Sequence, residues 1–201
     1  MNKTFLKEEA EKLMQIKGNV KGAVLNVTLL YIRNKKGEEG VKLIEETMKE
    51  LGHSFKFSEI QPLSWYKEGL SVFLILVAKE LFDWTDKDIF DMGNSAPKFS
   101  LLTKILIRHF VSLRRTFEEA NIQWHKHFDF ADLEPVQINE KEKYLILRIK
   151  GYKFHPLICS YHAGYFLRVT QYVAKTEKIG VEETKCMFKG DDYHEYLIKW
   201  E

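Results

Sequence analysis

Apolar positions recur at helical spacing through the first part of the chain and turn towards strict alternation near residue 130. In VKGAVLNVTLLYIRN (20–34), Val20, Val24, Val27 and Tyr31 fall on one face of a helix. Gly37 is predicted to end that helix, and EEGVKLIEETMKELG (38–52) to form another with Gly52 at its C-cap. WYKEGLSVFLILVAKELF (65–82) is apolar nearly all round, the pattern of a helix surrounded by protein. TDKDIFDMG (85–93) opens on a Thr-x-x-Asp cap signal and is predicted to stop at Gly93. SLLTKILIRHFVSLRRTFEEA (100–120) carries Leu102, Leu106, His109, Leu113 and Phe117 as one stripe.

After Phe130 the period changes to two. DLEPVQIN and KYLILRIKG alternate on either side of the polar EKEK and read as a β-hairpin. HPLICSYHAGYFLRVTQYVAK (155–175) returns to helix with Pro156 in its first turn, and KIGVEETKC with YHEYLIKW forms a second hairpin. The predicted fold class is α+β, with an N-terminal helical part packed on a small four-stranded antiparallel sheet in the order β-β-α-β-β. Residues 1–17 are read as a helical extension, and 18–201 as a single domain.

Composition narrows the class. The 201 residues are 45% hydrophobic, with fourteen Phe, nine Tyr and four Trp, enough to bury a substantial core. The formal net charge of +2 comes from interspersed acids and bases, so no strong field points to nucleic acid. The longest apolar run, VFLILVA (72–78), is far short of a membrane span, and the first residues lack the apolar core of an export signal. Two cysteines are too few for a disulfide framework, so reduced thiols and a cytoplasmic location are expected. Nucleotide-binding glycine loops, nucleophile elbows and His-Glu-x-x-His are all absent, which argues against an enzyme.

The candidate chemistry gathers near the end, in KCMFKGDDYHEYLIKW (185–200). With a loop of Lys189-Gly190-Asp191, Cys186 and His194 lie opposite each other, about 5 Å apart at Cβ. With a loop of four, Lys189 to Asp192, Cys186 faces Glu195, and the sequence leaves both registers open. Cys159 and His162, three apart on one helix, and His155 are further ligand candidates, with Asp132 or Glu134 as oxygen donors. On spacing alone an ordinary hairpin stays ahead of a metal site. His109, on its apolar stripe, is the candidate heme ligand, although a core or surface histidine is the plainer reading.

The stretches KGNVKGAVLNVTLLYIRNKKGEEG, WYKEGLSVFLILVAKELF, DIFDMG, HPLICSYHAGY and ETKCMFKGDDYHEYLIKW together resemble the heme-NO-binding-like superfamily. Within it the sequence is most similar to 4-vinyl reductase domains, relatives of transport-particle subunits of Golgi traffic, over roughly residues 18–200. The most specific part is Glu183, Cys186, Gly190, Asp191 and His194, which resembles the family ending Glu-x-x-Cys, Gly-Asp, then Cys. In regulators with this domain an acidic residue and three cysteines bind zinc. The resemblance carries that role to Cys159, Cys186 and His194, the last in place of a cysteine; Asp132 and Glu134 are both open as the acid, with Glu134 carried into the predicted set. The heme-binding branch uses Tyr-x-Ser-x-Arg for the propionates, and FVSLR (110–114) echoes it without the tyrosine. Zinc is accordingly placed ahead of heme as the cofactor. The resemblance further implies a sensory or regulatory module, a small apolar ligand and a homodimer formed through the first helices. Protein-interaction scaffold is the remaining alternative. The expected pocket is lined by Phe73, Val77, Leu106, Phe110, Phe166 and Val169.

Overall fold

A computed structural model of the chain describes residues 1–99 and 112–201. Helix α1 (Lys3–Gln15) starts where the Asn2 side chain accepts the Phe5 N–H, and it buries the stripe Leu6, Ala10 and Leu13. That stripe lies on α3 (Glu68–Leu81), so the first residues pack on the body of the protein. Strands β1 (Asn19–Lys21) and β2 (Trp65–Lys67) pair antiparallel, a small ribbon where the sequence pattern read helix at both ends. Val20 thus belongs to a strand, while Trp65 and Tyr66 precede their helix rather than open it.

Helix α2 (Gly22–Glu50) covers both helices expected there and is broken at Gly37, whose φ of 70° and ψ of −171° leave helical space. A residue with a Cβ is rarely found at that φ, so the glycine sets the break. Helix α3 is enclosed as its pattern predicts: every residue from Val72 to Ala78 is buried. Helix α4 (Asp86–Phe99) begins at the Thr85–Asp88 cap, with Thr85 N–H donating to Asp88 at 2.8 Å. It does not stop at Gly93. Gly93 instead lets α4 approach another helix, as a Cβ there would sit 1.9 Å from the Tyr161 carbonyl. Leu102, Leu106, His109 and Phe110 of the predicted 100–120 helix lie outside the described residues. Its described end forms two short helices, α5 (Leu113–Glu118) and α6 (Ala120–His125).

The C-terminal half follows the predicted β-β-α-β-β order. Strands β3 (Asp132–Asn139), β4 (Tyr144–Lys150), β5 (Ile179–Lys185) and β6 (His194–Trp200) form one antiparallel sheet in the order β3-β4-β6-β5. Helix α7 (Leu157–Ala174) lies between the two hairpins in sequence and packs on β5 and β6. Alternation sets the buried face of the sheet: Leu145, Leu147 and Ile149 from β4, Tyr196, Ile198 and Trp200 from β6. Helix α4 crosses α7 closely, and Arg168 of α7 donates to the Asn94 carbonyl at 3.2 Å. Among the described residues no helix is long and apolar enough to cross a membrane.

Candidate functional site

Two features gather the chemistry, and α7 carries part of each. The first is an apolar cavity of about 170 Å³ between α2, the α5–α6 turns, the sheet and α7. Val24 and Val27 wall it on one side, Leu133 and Leu147 on another, and Phe166 and Val169 close it from α7. The last two are predicted pocket residues. Phe73 and Val77, also predicted, are buried on α3 and do not line it. They fill the interior near α1 and α2, and the Phe73 ring packs edge-on to His53 at 5.3 Å. An all-apolar helix cannot show in its sequence which of its faces meets a cavity.

The polar groups of this wall are few and unusually placed. His162 is 4% exposed, and its Nδ1 has no hydrogen-bond partner among the described residues. Burial, aided by nearby His194, pushes its pKa down to about 3, so the ring stays neutral. Its ring stands edge-on to Tyr152 at 4.8 Å and to Trp124 at 5.8 Å. The Nδ1 of His127 likewise has no partner among the described residues, and burial lowers its pKa, with Lys126 and Lys21 adding to the effect. A buried polar atom without a partner costs about 1–3 kcal/mol, so two at one cavity need an explanation.

The second feature is a cluster at the end of β5. Cys159 comes from the first turn of α7, Glu183 from β5, Cys186 from the turn that follows and His194 from the start of β6; their donor atoms all lie within 4.8 Å of one another. The Cys159 Sγ is 3.8 Å from the Cys186 Sγ and 3.7 Å from His194 Nδ1. The intervening loop runs from Cys186 to Tyr193, longer than either loop expected from sequence. Gly190, at a φ of +101°, turns the chain, and Asp191 accepts the Cys186 N–H at 2.8 Å. A register shift between Glu183 and Lys185 brings Lys185 opposite Glu195, which puts Cys186 on the His194 side, as in the first of the two registers considered. The Gly-Asp pair therefore shapes the cluster without joining it.

The protons here can be placed. His194 Nε2 lies 3.0 Å from the Tyr152 carbonyl, which only accepts, so Nε2 carries the hydrogen. Its Nδ1 then faces the Glu183 carboxylate at 3.1 Å. Burial alone would raise the Glu183 pKa, but the bonds from His194 and the thiols outweigh it and hold the carboxyl below its usual range. Two acceptors this close share a hydrogen or a metal ion between them. Burial, with the Glu183 charge beside it, pushes the Cys159 thiol well up. Two thiols, an imidazole and a carboxylate at these distances are a donor set that a metal ion can take.

Four candidate ligands from the sequence lie outside this cluster. Glu134 is not in the cluster: it pairs with Lys150 across the β3–β4 ladder at 2.7 Å. Glu183 supplies the acid, and the Glu-x-x-Cys spacing held that signal, read there only as part of a motif. Asp132 pairs with His125 at 3.0 Å. His155 accepts the Leu157 N–H at the start of α7, and His162 turns to the cavity. His109 lies outside the described residues. The sequence reading does not single out Trp124, His127 and Tyr152: Trp124 lies in a helix of six residues and the other two in irregular segments, all too short to show a period.

In comparison with known proteins, no family model and no curated protein matches the chain. Solved structures do match. One, described as an H-NOX protein from S. oneidensis in the Fe(II)NO ligation state, superimposes with a TM-score of 0.65 at 14% identity over 90% of this chain and 99% of that one. A second, an oxygen-binding H-NOX domain related to soluble guanylate cyclases, gives 0.65 at 13% identity over 90% and 95%. A third, described in terms of heme redox potential and porphyrin distortion, gives 0.63 at 13% over 90% and 99%. The chain has the fold of these heme-NO-binding domains. The order of cofactors drawn from sequence is thereby overturned: the similar structures are described by iron ligation and heme, and zinc is not indicated by them.

Proposed function

We propose that this chain is a non-enzymatic sensory domain of the H-NOX kind that holds heme in the apolar cavity, with a buried imidazole of the wall as nitrogen donor. The observation that carries this reading is the pair of Nδ1 atoms, on His162 and His127, that have no hydrogen-bond partner among the described residues, at a predominantly apolar wall. A neutral imidazole is the form that binds iron, and burial keeps His162 neutral. Bound heme would supply an open coordination position for a diatomic gas. The chain's own part is to offer the donor nitrogen, exclude water with Val24, Leu147 and Phe166, and carry displacement away from the cavity. Helix α7 suits the last role, since His162 and Cys159 lie three residues apart on it, one at the cavity and one in the cluster.

A second reading rests on the cavity's size. At about 170 Å³ it is close to the roughly 150 Å³ of an engineered cavity that takes benzene, so a single aromatic ring fits the space as it stands. A porphyrin needs the α5–α6 turns and α7 to part. One experiment separates the two: the absorption spectrum of protein produced with heme supplied, followed by melting with added phenol. A Soret band that moves on adding nitric oxide and is lost in His162→Ala or His127→Ala supports heme. No band, with a melting temperature that climbs with phenol concentration, supports the one-ring ligand. Neither response overturns both. Association of two copies belongs to the same reading, because Leu30 and Leu43 of α2 stay exposed; sedimentation velocity tests it.

A further inference from the structure

Glu68, the first residue of α3, is 2% exposed. Its backbone N–H donates to the Gly18 carbonyl at 2.9 Å, and its Oε1 accepts the hydroxyl of Tyr152, which is fully buried in the loop after β4. The other oxygen, Oε2, has no hydrogen-bond partner among the described residues. A buried carboxylate is ordinarily paired with a cation, yet no Lys, Arg or His side chain bonds this one among the described residues. The groups that face it are Ser71 on its own helix, Tyr152 from the β4–α7 loop and Tyr161 from α7. Neighbouring Lys67 turns away to the Met14 carbonyl at 3.4 Å. Helix α1 meets this end of α3 with backbone, at the Leu13 carbonyl beside Gly69.

Tyr152 is a junction. Its carbonyl holds His194 Nε2, its ring stands against His162, and it leans on Phe130 at 5.2 Å. One residue therefore touches the cluster with its carbonyl, the cavity wall with its ring and, through its hydroxyl on Glu68, the N-terminal helices. We propose that Glu68 and Tyr152 form a proton-gated latch that joins the N-terminal helices to the sheet half and releases when Glu68 loses its proton. With the proton, Glu68 is a neutral acid that accepts from Tyr152 and leaves no buried charge. Without it, an uncompensated carboxylate sits in the core, and the cheapest relief is to admit water by parting α3 from the β4–α7 loop. Burial raises the Glu68 pKa to about 8, against the opposing bonds from Tyr152 and Ser71, which puts the release close to neutral pH. The latch stands apart from what fills the cavity.

The test is native-state hydrogen exchange at the Glu68 amide and along α3 in the full chain, corrected for the intrinsic rate. Opening linked to loss of one proton grows about tenfold per pH unit over the range below the folded pKa, here between about pH 6 and pH 8. Glu68→Gln keeps the shape and the acceptor but cannot ionise, so its opening constant should stay flat. Equal slopes in both proteins, or no slope in the parent, overturn the latch. If Glu68→Gln does not fold, infrared spectroscopy of the parent decides instead. The carbonyl band of a buried protonated carboxyl should be present near pH 6 and vanish in step with protection as pH rises. Its absence at pH 6, or its loss without any change in exchange, overturns the proposal.

Discussion

Replacing Gly164 with alanine should destabilise the protein, although alanine is the better helix former. A Cβ at 164 would lie 2.1 Å from the Phe90 carbonyl oxygen and 2.8 Å from the Asn94 nitrogen, against the 3.4 Å at which ordinary contact begins. The shortfall of about 1.3 Å at Phe90 is against backbone, which cannot rotate aside. Helix α7 must therefore back away from α4. That movement strains the Asn94 Nδ2–Gly164 carbonyl bond of 3.2 Å and the Arg168 Nε–Asn94 Oδ1 bond of 3.1 Å. Overpacking costs roughly 1–3 kcal/mol and each weakened bond up to about 1 kcal/mol. The helix gains about 1 kcal/mol from alanine. At the middle of these ranges the net loss is about 2 kcal/mol, and at their upper ends about 4 kcal/mol. Urea denaturation followed by circular dichroism measures it, with Gly180→Ala as control, since nothing lies within 4 Å of a Cβ there. The control should change stability by no more than about 0.5 kcal/mol. If Gly164→Ala is as stable as the parent or more so, the propensity gain has won and the close helix crossing is wrong.

His194→Ala removes a fully buried ring and leaves the Tyr152 carbonyl and Glu183 without their partner; a loss of about 2–4 kcal/mol is expected in the same assay, and a loss below about 1 kcal/mol would contradict the placement. His162 has a folded pKa depressed from 6.5 to about 3, so the unfolded chain gains a proton there first, and stability is lost as pH falls from about 6.5 towards 3. His162→Phe should flatten that loss by roughly 1 kcal/mol per pH unit relative to the parent, and urea midpoints at pH 7 and pH 5 check the difference. An unchanged pH dependence would mean that the ring is not buried and neutral.

Local pattern carried most of the element identities. The alternation in DLEPVQIN and KYLILRIKG is the β3–β4 hairpin, and the apolar run 72–78 is the enclosed middle of α3. Gly37 marks the break in α2, since positive φ is a property of the residue itself. Gly93 looked the same in sequence and did the opposite. Its meaning comes from the Tyr161 carbonyl of another helix, which no local signal contains.

The candidate site divides along the same line. Sequence determined that Cys159, Cys186 and His194 were worth testing together, because donor types and a turn signal are written in the chain. Tertiary structure decided that Glu183 and not Glu134 joins them, because one shifted residue in the β5–β6 ladder chooses which side chains share a face. It also decided that His162 turns from that cluster to the cavity, and that Glu68 meets Tyr152, 84 positions later in the chain. Periodicity reports which residues avoid water, whereas partners depend on register and helix approach, and these are set only once the whole core has closed.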